Sequence, residues 1–115
     1  MSEVLLVFTT LPDRASGERI AGALVTERVA ACVNLMAAAT SFYHWQGKLE
    51  RTGEIPLLIK TTRSAYPQLE QRLRELHPYD LPEIIALPVA AGLPDYLSWV
   101  RRETNDPALN ERLSG

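Results

Sequence analysis

The chain has 115 residues, 46% of them hydrophobic, with a net charge of -2 and a pI near 5.7. That is enough for one domain around a single core and too little for two. Its 12 Lys and Arg are scattered among 14 Asp and Glu, so no basic field exists to release counterions from phosphates, which argues against a nucleic-acid partner.

From the start of the chain, Val4 to Thr9 reads as a strand buried on both faces. This run is too short for a secretory core or a membrane span, so the expectation is a soluble, cytoplasmic protein with no membrane partner. Leu11-Pro12-Asp13 then turns into a helix over Asp13 to about Arg28, with Ile20, Ala21, Leu24, Val25 and Val29 as its apolar stripe. Gly17 and Gly22 each cost about 1 kcal/mol relative to alanine in a helix interior, which points to close packing on a sheet. Cys32 to Met36 and Ser41 to Trp45 are strand-like, and the small residues Ala37-Ala38-Ala39 between them predict a bend or bulge. A turn at Gln46-Gly47-Lys48 leads into a returning strand over Glu54 to Thr61, in which Pro56 requires an edge or a bulge.

Ser64 is placed to cap a second helix with Pro67 in its first turn, and Tyr66, Leu69, Leu73 and Leu76 recur at core-facing spacing until His77. A strand follows over Glu83 to Val89. Gly92-Leu93-Pro94-Asp95 opens a third helix carrying Tyr96, Leu97, Trp99 and Val100. Residues 1–104 make the domain, and residues 105–115 are expected to form a flexible polar tail.

This order predicts an α+β fold: the split, ferredoxin-like βαββαβ arrangement, one antiparallel sheet with helices on one face, plus a C-terminal helix. Such a sheet leaves a face and a long edge uncovered. Apolar residues on both faces of the strands therefore imply oligomerisation.

Chemistry-bearing residues are densest in His77-Pro78-Tyr79-Asp80-Leu81-Pro82-Glu83, where two prolines stiffen a polar connector. The segment reads either as a site or as a plain helix stop. His77 is the candidate ligand for Cu(II) or Zn(II). Glu83 is placed to approach the His77 ring, or to accept hydrogen bonds from Tyr79 or from Lys60 of another subunit. Cys32 is the only cysteine, so an intrachain disulfide or a thiolate cluster is impossible, and packing is its ordinary role. Asn34 shares its face. Trp45 and Trp99 read as packing anchors, and His44 lies too far along the hairpin to join His77 within one subunit, although symmetry could bring copies near each other. Ser41, Ser64 and Ser98 lack a nucleophile elbow and no Gly-rich phosphate loop is present, so the chain does not read as an enzyme.

Several segments together resemble the CutA divalent-cation tolerance family across residues 4–103. They are Thr9-Thr10, Ala30-Ala31-Cys32-Val33-Asn34, Trp45-Gln46-Gly47-Lys48, Ile59-Lys60-Thr61-Thr62, His77-Pro78-Tyr79 with Pro82-Glu83-Ile84, and Tyr96-Leu97-Ser98-Trp99. The resemblance implies a ferredoxin-like protomer in a homotrimer joined edge to edge by its hairpins, similar to the PII signalling proteins. It also implies a part in tolerance to divalent metals, copper above all, without catalysis. Copper sites proposed for members use a thiol near the end of the first strand and two adjacent histidines before the Pro-Tyr motif. The matching positions here are Thr9, Leu76 and His77, so two of those ligands are replaced. The alternative is a regulatory or scaffolding trimer whose inter-subunit clefts, lined by Cys32, Asn34, Lys60, Tyr79 and Glu83, take a small anionic ligand or a protein partner.

Overall fold

A computed structural model describes residues 2–104 of the chain. The predicted tail 105–115 lies outside the described residues, but Thr104 does not belong with it. Its side chain is buried, and Oγ1 donates to the carbonyls of Val100 and Arg101.

The elements in chain order are β1 (Val4–Leu11), α1 (Arg14–Thr26), β2 (Cys32–Leu35), β3 (Ala39–Trp45), β4 (Lys48–Thr62), α2 (Tyr66–Leu76), β5 (Ile85–Pro88) and α3 (Pro94–Glu103). All pairings are antiparallel; the sheet runs β2-β4-β1-β5, and β3 also pairs with β4. The split βαβ arrangement expected from the sequence is therefore present. No helix among the described residues is long and apolar enough to cross a membrane.

Because side chains alternate across a strand, the odd-numbered residues of β1 and β4 share one face. Val7, Leu11, Ile55, Leu57 and Ile59 on that face form the main core with Ile20 and Leu24 of α1 and Leu69 and Leu73 of α2. Helices α1 and α2 share this face as expected, and the added helix α3 lies elsewhere. Its Val100, Leu97 and Trp99 pack with Val4 and Ala31 in a second cluster, which caps one end of the opposite face. Leu6, Phe8 and Leu58 on that opposite face are only partly buried, and Ile85 and Leu87 are exposed.

Helix α1 starts as predicted, with the Asp13 carboxylate accepting the Ser16 N–H at 2.8 Å. Ser64 does not cap α2. The cap position is Ala65, whose N–H is met by Thr62 Oγ1, while Ser64 bonds to Ser2. A Cβ at Gly17 would stand 3.2 Å from Leu35 Cδ2, but one at Gly22 would meet nothing within 4 Å. Close packing thus explains the first glycine only.

The hairpin is longer than the sequence suggested, since β4 is a continuous strand of 15 residues. Pro56 is tolerated inside it because its carbonyl, accepting from the Met36 N–H, shows that its backbone polar groups face the side where β2 has ended and β3 has not begun. A missing N–H costs no ladder bond at that gap. Beyond the gap, β3 and the first part of β4 form a two-stranded arm joined by the Gln46-Gly47 turn, both residues having positive φ (51° and 80°).

Candidate functional site

The pairing pattern of β1 creates the setting. The Val4 carbonyl accepts from Val89, so the even-numbered residues of β1 direct their backbone groups toward β5. β5 reaches only as far as Phe8, where Ile85 pairs, instead of starting at Glu83 as the sequence suggested. The next carbonyl on that side, Thr10, accepts from His77 Nε2 at 2.9 Å.

His77 follows α2 as its C-cap and is buried. Its Nδ1 accepts the Tyr79 N–H at 3.2 Å, which makes Nε2 the protonated nitrogen and the ring neutral. Burial pushes its pKa below the ordinary value, against the opposing effects of the Thr10 carbonyl and the Glu54 charge. Both ring nitrogens are thus engaged within the chain. A cation at His77 has to displace one of these bonds.

The residue that organises this region is Glu54, which the sequence did not single out. Its Oε2 accepts from Thr10 Oγ1 and from the Tyr79 hydroxyl, both at 2.9 Å. Burial works against its charged form, but hydrogen bonds from Ser41, Tyr79 and Thr10 and the nearby His77 ring outweigh it and hold its pKa below the ordinary value. Burial and the bond to Glu54 push the Tyr79 phenol well above its ordinary range. The Tyr79 hydroxyl therefore serves Glu54, not Glu83 as one reading of the sequence had it. Glu83 is exposed and lines an open cleft of about 790 Å³ between the β3–β4 arm and the 78–83 loop, with Glu54, Tyr79, Tyr43, Trp45 and His44 also in its lining.

Cys32, Asn34 and Lys60 form a separate group six positions farther along β4, on the same non-core face of the sheet as Glu54. Lys60 Nζ donates to Asn34 Oδ1 and lies 4.0 Å from Cys32 Sγ. Within one chain the five residues expected to line a common cleft therefore fall into two groups, Cys32, Asn34 and Lys60 in one and Tyr79 and Glu83 in the other.

A sequence model of the family described as CutA1 divalent ion tolerance protein matches residues 5–103. The chain belongs to the CutA1 family. It is 49% identical over 104 residues to the divalent-cation tolerance protein CutA of Thermus thermophilus, covering 90% of this chain and 99% of that one. Protein CutA of Mus musculus is 46% identical over 101 residues, 88% of this chain and 57% of the mouse protein. Among solved structures, CutA from Xylella fastidiosa superposes with a TM-score of 0.88 at 51% identity, covering 90% of this chain and all of that one (100%).

For this CutA1-family chain the donor set is the point of departure. Thr9 is fully buried on the core face, and its Oγ1 finds no hydrogen-bond partner among the described residues. Leu76 packs against the core cluster. No group of three or more His, Cys, Asp or Glu among the described residues is arranged to hold a metal ion. Thr9, Leu76 and His77 thus supply one imidazole with both nitrogens in use, a donor set that does not fit a copper ion within a single chain.

Proposed function

We propose that the protein works in divalent-cation tolerance, copper included, as a cytoplasmic, non-catalytic homotrimer that binds cations weakly at sites assembled between subunits. The observation that carries this reading is the sheet face left open by α3. Leu6, Phe8 and Leu58 lie partly exposed there beside the exposed Ile85 and Leu87. A contiguous apolar face of this kind is normally covered in the working molecule, and a cyclic assembly covers it with the same surface of other copies. Family membership supports the tolerance role, and the incomplete donor set within one chain supports sites that need more than one copy.

The test is a Cu(II) titration by calorimetry with light scattering on the same sample, beside His77→Ala. A trimer that releases binding heat agrees with the reading. A monomer without binding heat overturns it. Lys60 favours a second reading, a regulatory or scaffolding trimer taking an anionic ligand, because an ammonium repels a metal ion and attracts an anion. Binding of a small dianion that Lys60→Met abolishes, with no copper heat, would select that reading.

A further inference from the structure

Cys32 of β2 and Lys60 of β4 stand directly opposite each other in the antiparallel register. Side chains paired in this way leave the same face of the sheet with their Cβ atoms about 5 Å apart, so the backbone itself holds the thiol beside the amine. Lys60 Nζ lies 4.0 Å from Cys32 Sγ. Asn34, two residues along β2 on the same face, closes the group: its Oδ1 accepts from Lys60 Nζ and lies 3.9 Å from Cys32 Sγ. Cys32 and Lys60 are both partly exposed. Their register is set inside one chain, so their approach is the same whatever covers the sheet face. In the homotrimer proposed above, Lys60 shares a cleft with Tyr79 and Glu83 of another copy.

A thiol oxidised next to an amine has a route that an isolated thiol lacks. The Cys32 sulfur, as thiolate, attacks one oxygen of hydrogen peroxide and the O–O bond breaks. Sulfur loses two electrons and becomes a sulfenic acid, and the other oxygen leaves as water with the thiol proton. The Lys60 amine, after giving its extra proton to solvent, attacks that sulfur. The S–O bond breaks, an S–N bond forms, and the hydroxyl leaves as water with a proton from nitrogen. One peroxide thus yields a sulfenamide and two waters. A dithiol reverses the step by attacking the sulfur, releasing the amine and closing its own disulfide.

We propose that Cys32 and Lys60 form a sulfenamide bridge, driven by peroxide and reversed by thiols, that switches the charge of the cleft. A sulfenamide nitrogen is not protonated at neutral pH, so the bridge deletes the ammonium on which the second reading depends. The inference rests on that reading for its consequence, and the bridge itself stands on the β2–β4 register alone.

The experiment adds hydrogen peroxide to the assembled, reduced protein, with or without a following dithiothreitol step, caps the remaining thiols with iodoacetamide and reads the tryptic peptides by mass spectrometry. Residues 29–48 should appear joined to residues 52–63 through Cys32 and Lys60, at their summed mass less two hydrogens, with cleavage after Lys60 lost. Dithiothreitol should restore both separate peptides. Lys60→Arg keeps the positive charge without the amine, so it should give no link and carry Cys32 on to the sulfinic acid. The link in the unaltered chain is scored without any variant, which keeps the test decisive if Lys60→Arg folds poorly. A Cys32 that stays reduced, one that reaches the sulfinic acid while cleavage after Lys60 continues, or a link from Cys32 to a different lysine would each overturn the proposal. No ligand enters the measurement, so dianion binding can fail with the bridge intact, and the bridge can fail with dianion binding intact.

Discussion

Glu54 and His77 are the two buried side chains through which acid destabilises the fold. Both have folded-state pKa values below their ordinary ones, 4.5 for the carboxyl and 6.5 for the ring, so in each case the unfolded chain binds more protons over the shifted range. Stability therefore rises with pH there. The His77 contribution is complete above its unfolded value and is lost as pH falls from there through the folded one. The Glu54 contribution is lost in the same way from its lower starting point. Thermal midpoints measured from pH 8 downward should fall in two stages, and Glu54→Gln should shrink the more acidic stage, leaving the part that comes from Asp13 and Glu27, which Ser16 and Arg72 also hold below the ordinary carboxylate range. Thr9 gives the opposite kind of prediction. A buried hydroxyl without a partner costs about 1–3 kcal/mol, so Thr9→Val should raise stability by about 1 kcal/mol in guanidinium unfolding. His77 was legible as a special residue because two prolines flank its loop. Glu54 was not, since the partners that define it lie 44 and 25 positions away in sequence, and alone it is one acid among 14.

At the scale of elements, sequence pattern worked wherever burial imposes a period. The stripe of α2, the Ile20 and Leu24 positions of α1 and the core face of β1 carry that signature, whereas Val25 of the expected α1 stripe is exposed, Val29 lies past the helix end, and Leu6 and Phe8 on the other face of β1 are only partly buried. It failed for the first part of β4, where Lys48, Leu49, Arg51 and Gly53 are exposed in the arm. A two-stranded ribbon open on its outer faces imposes little hydrophobic alternation, so its length is set by pairing with β3, which periodicity does not report. The glycines of α1 show the same limit. Propensity treats Gly17 and Gly22 alike, but only a Cβ at Gly17 would press on Leu35. Gly22→Ala should therefore stabilise the protein by about 1 kcal/mol, while Gly17→Ala should gain less or lose stability. Denaturant midpoints of the two variants, compared at equal slope, check this directly.

For the whole molecule, the unresolved question of the sheet is its free edge. Pro56 and Lys60 direct their carbonyls to the β2 and β3 side of β4, so by alternation Lys48, Glu50, Thr52 and Glu54 bond to β3. Their partners Trp45, Tyr43, Ser41 and Ala39 are committed within the arm, which leaves the backbone groups of Thr40, Phe42 and His44 pointing outward. An edge strand of seven residues with no proline and no lysine is a ready template for another strand. If the arms join subunits, proline has different meanings at adjacent positions. At Tyr43 it removes a bond inside the hairpin and disorders the arm along with any assembly. At Phe42 it removes only an outward donor and leaves the Tyr43 to Glu50 pairing in place. Phe42→Pro should therefore lower the mass seen by light scattering to that of a single chain while circular dichroism keeps the folded spectrum. A trimer that persists in Phe42→Pro would show that the arm edge does not join the subunits, and the open face around Leu6, Phe8 and Leu87 would then have to account for assembly alone.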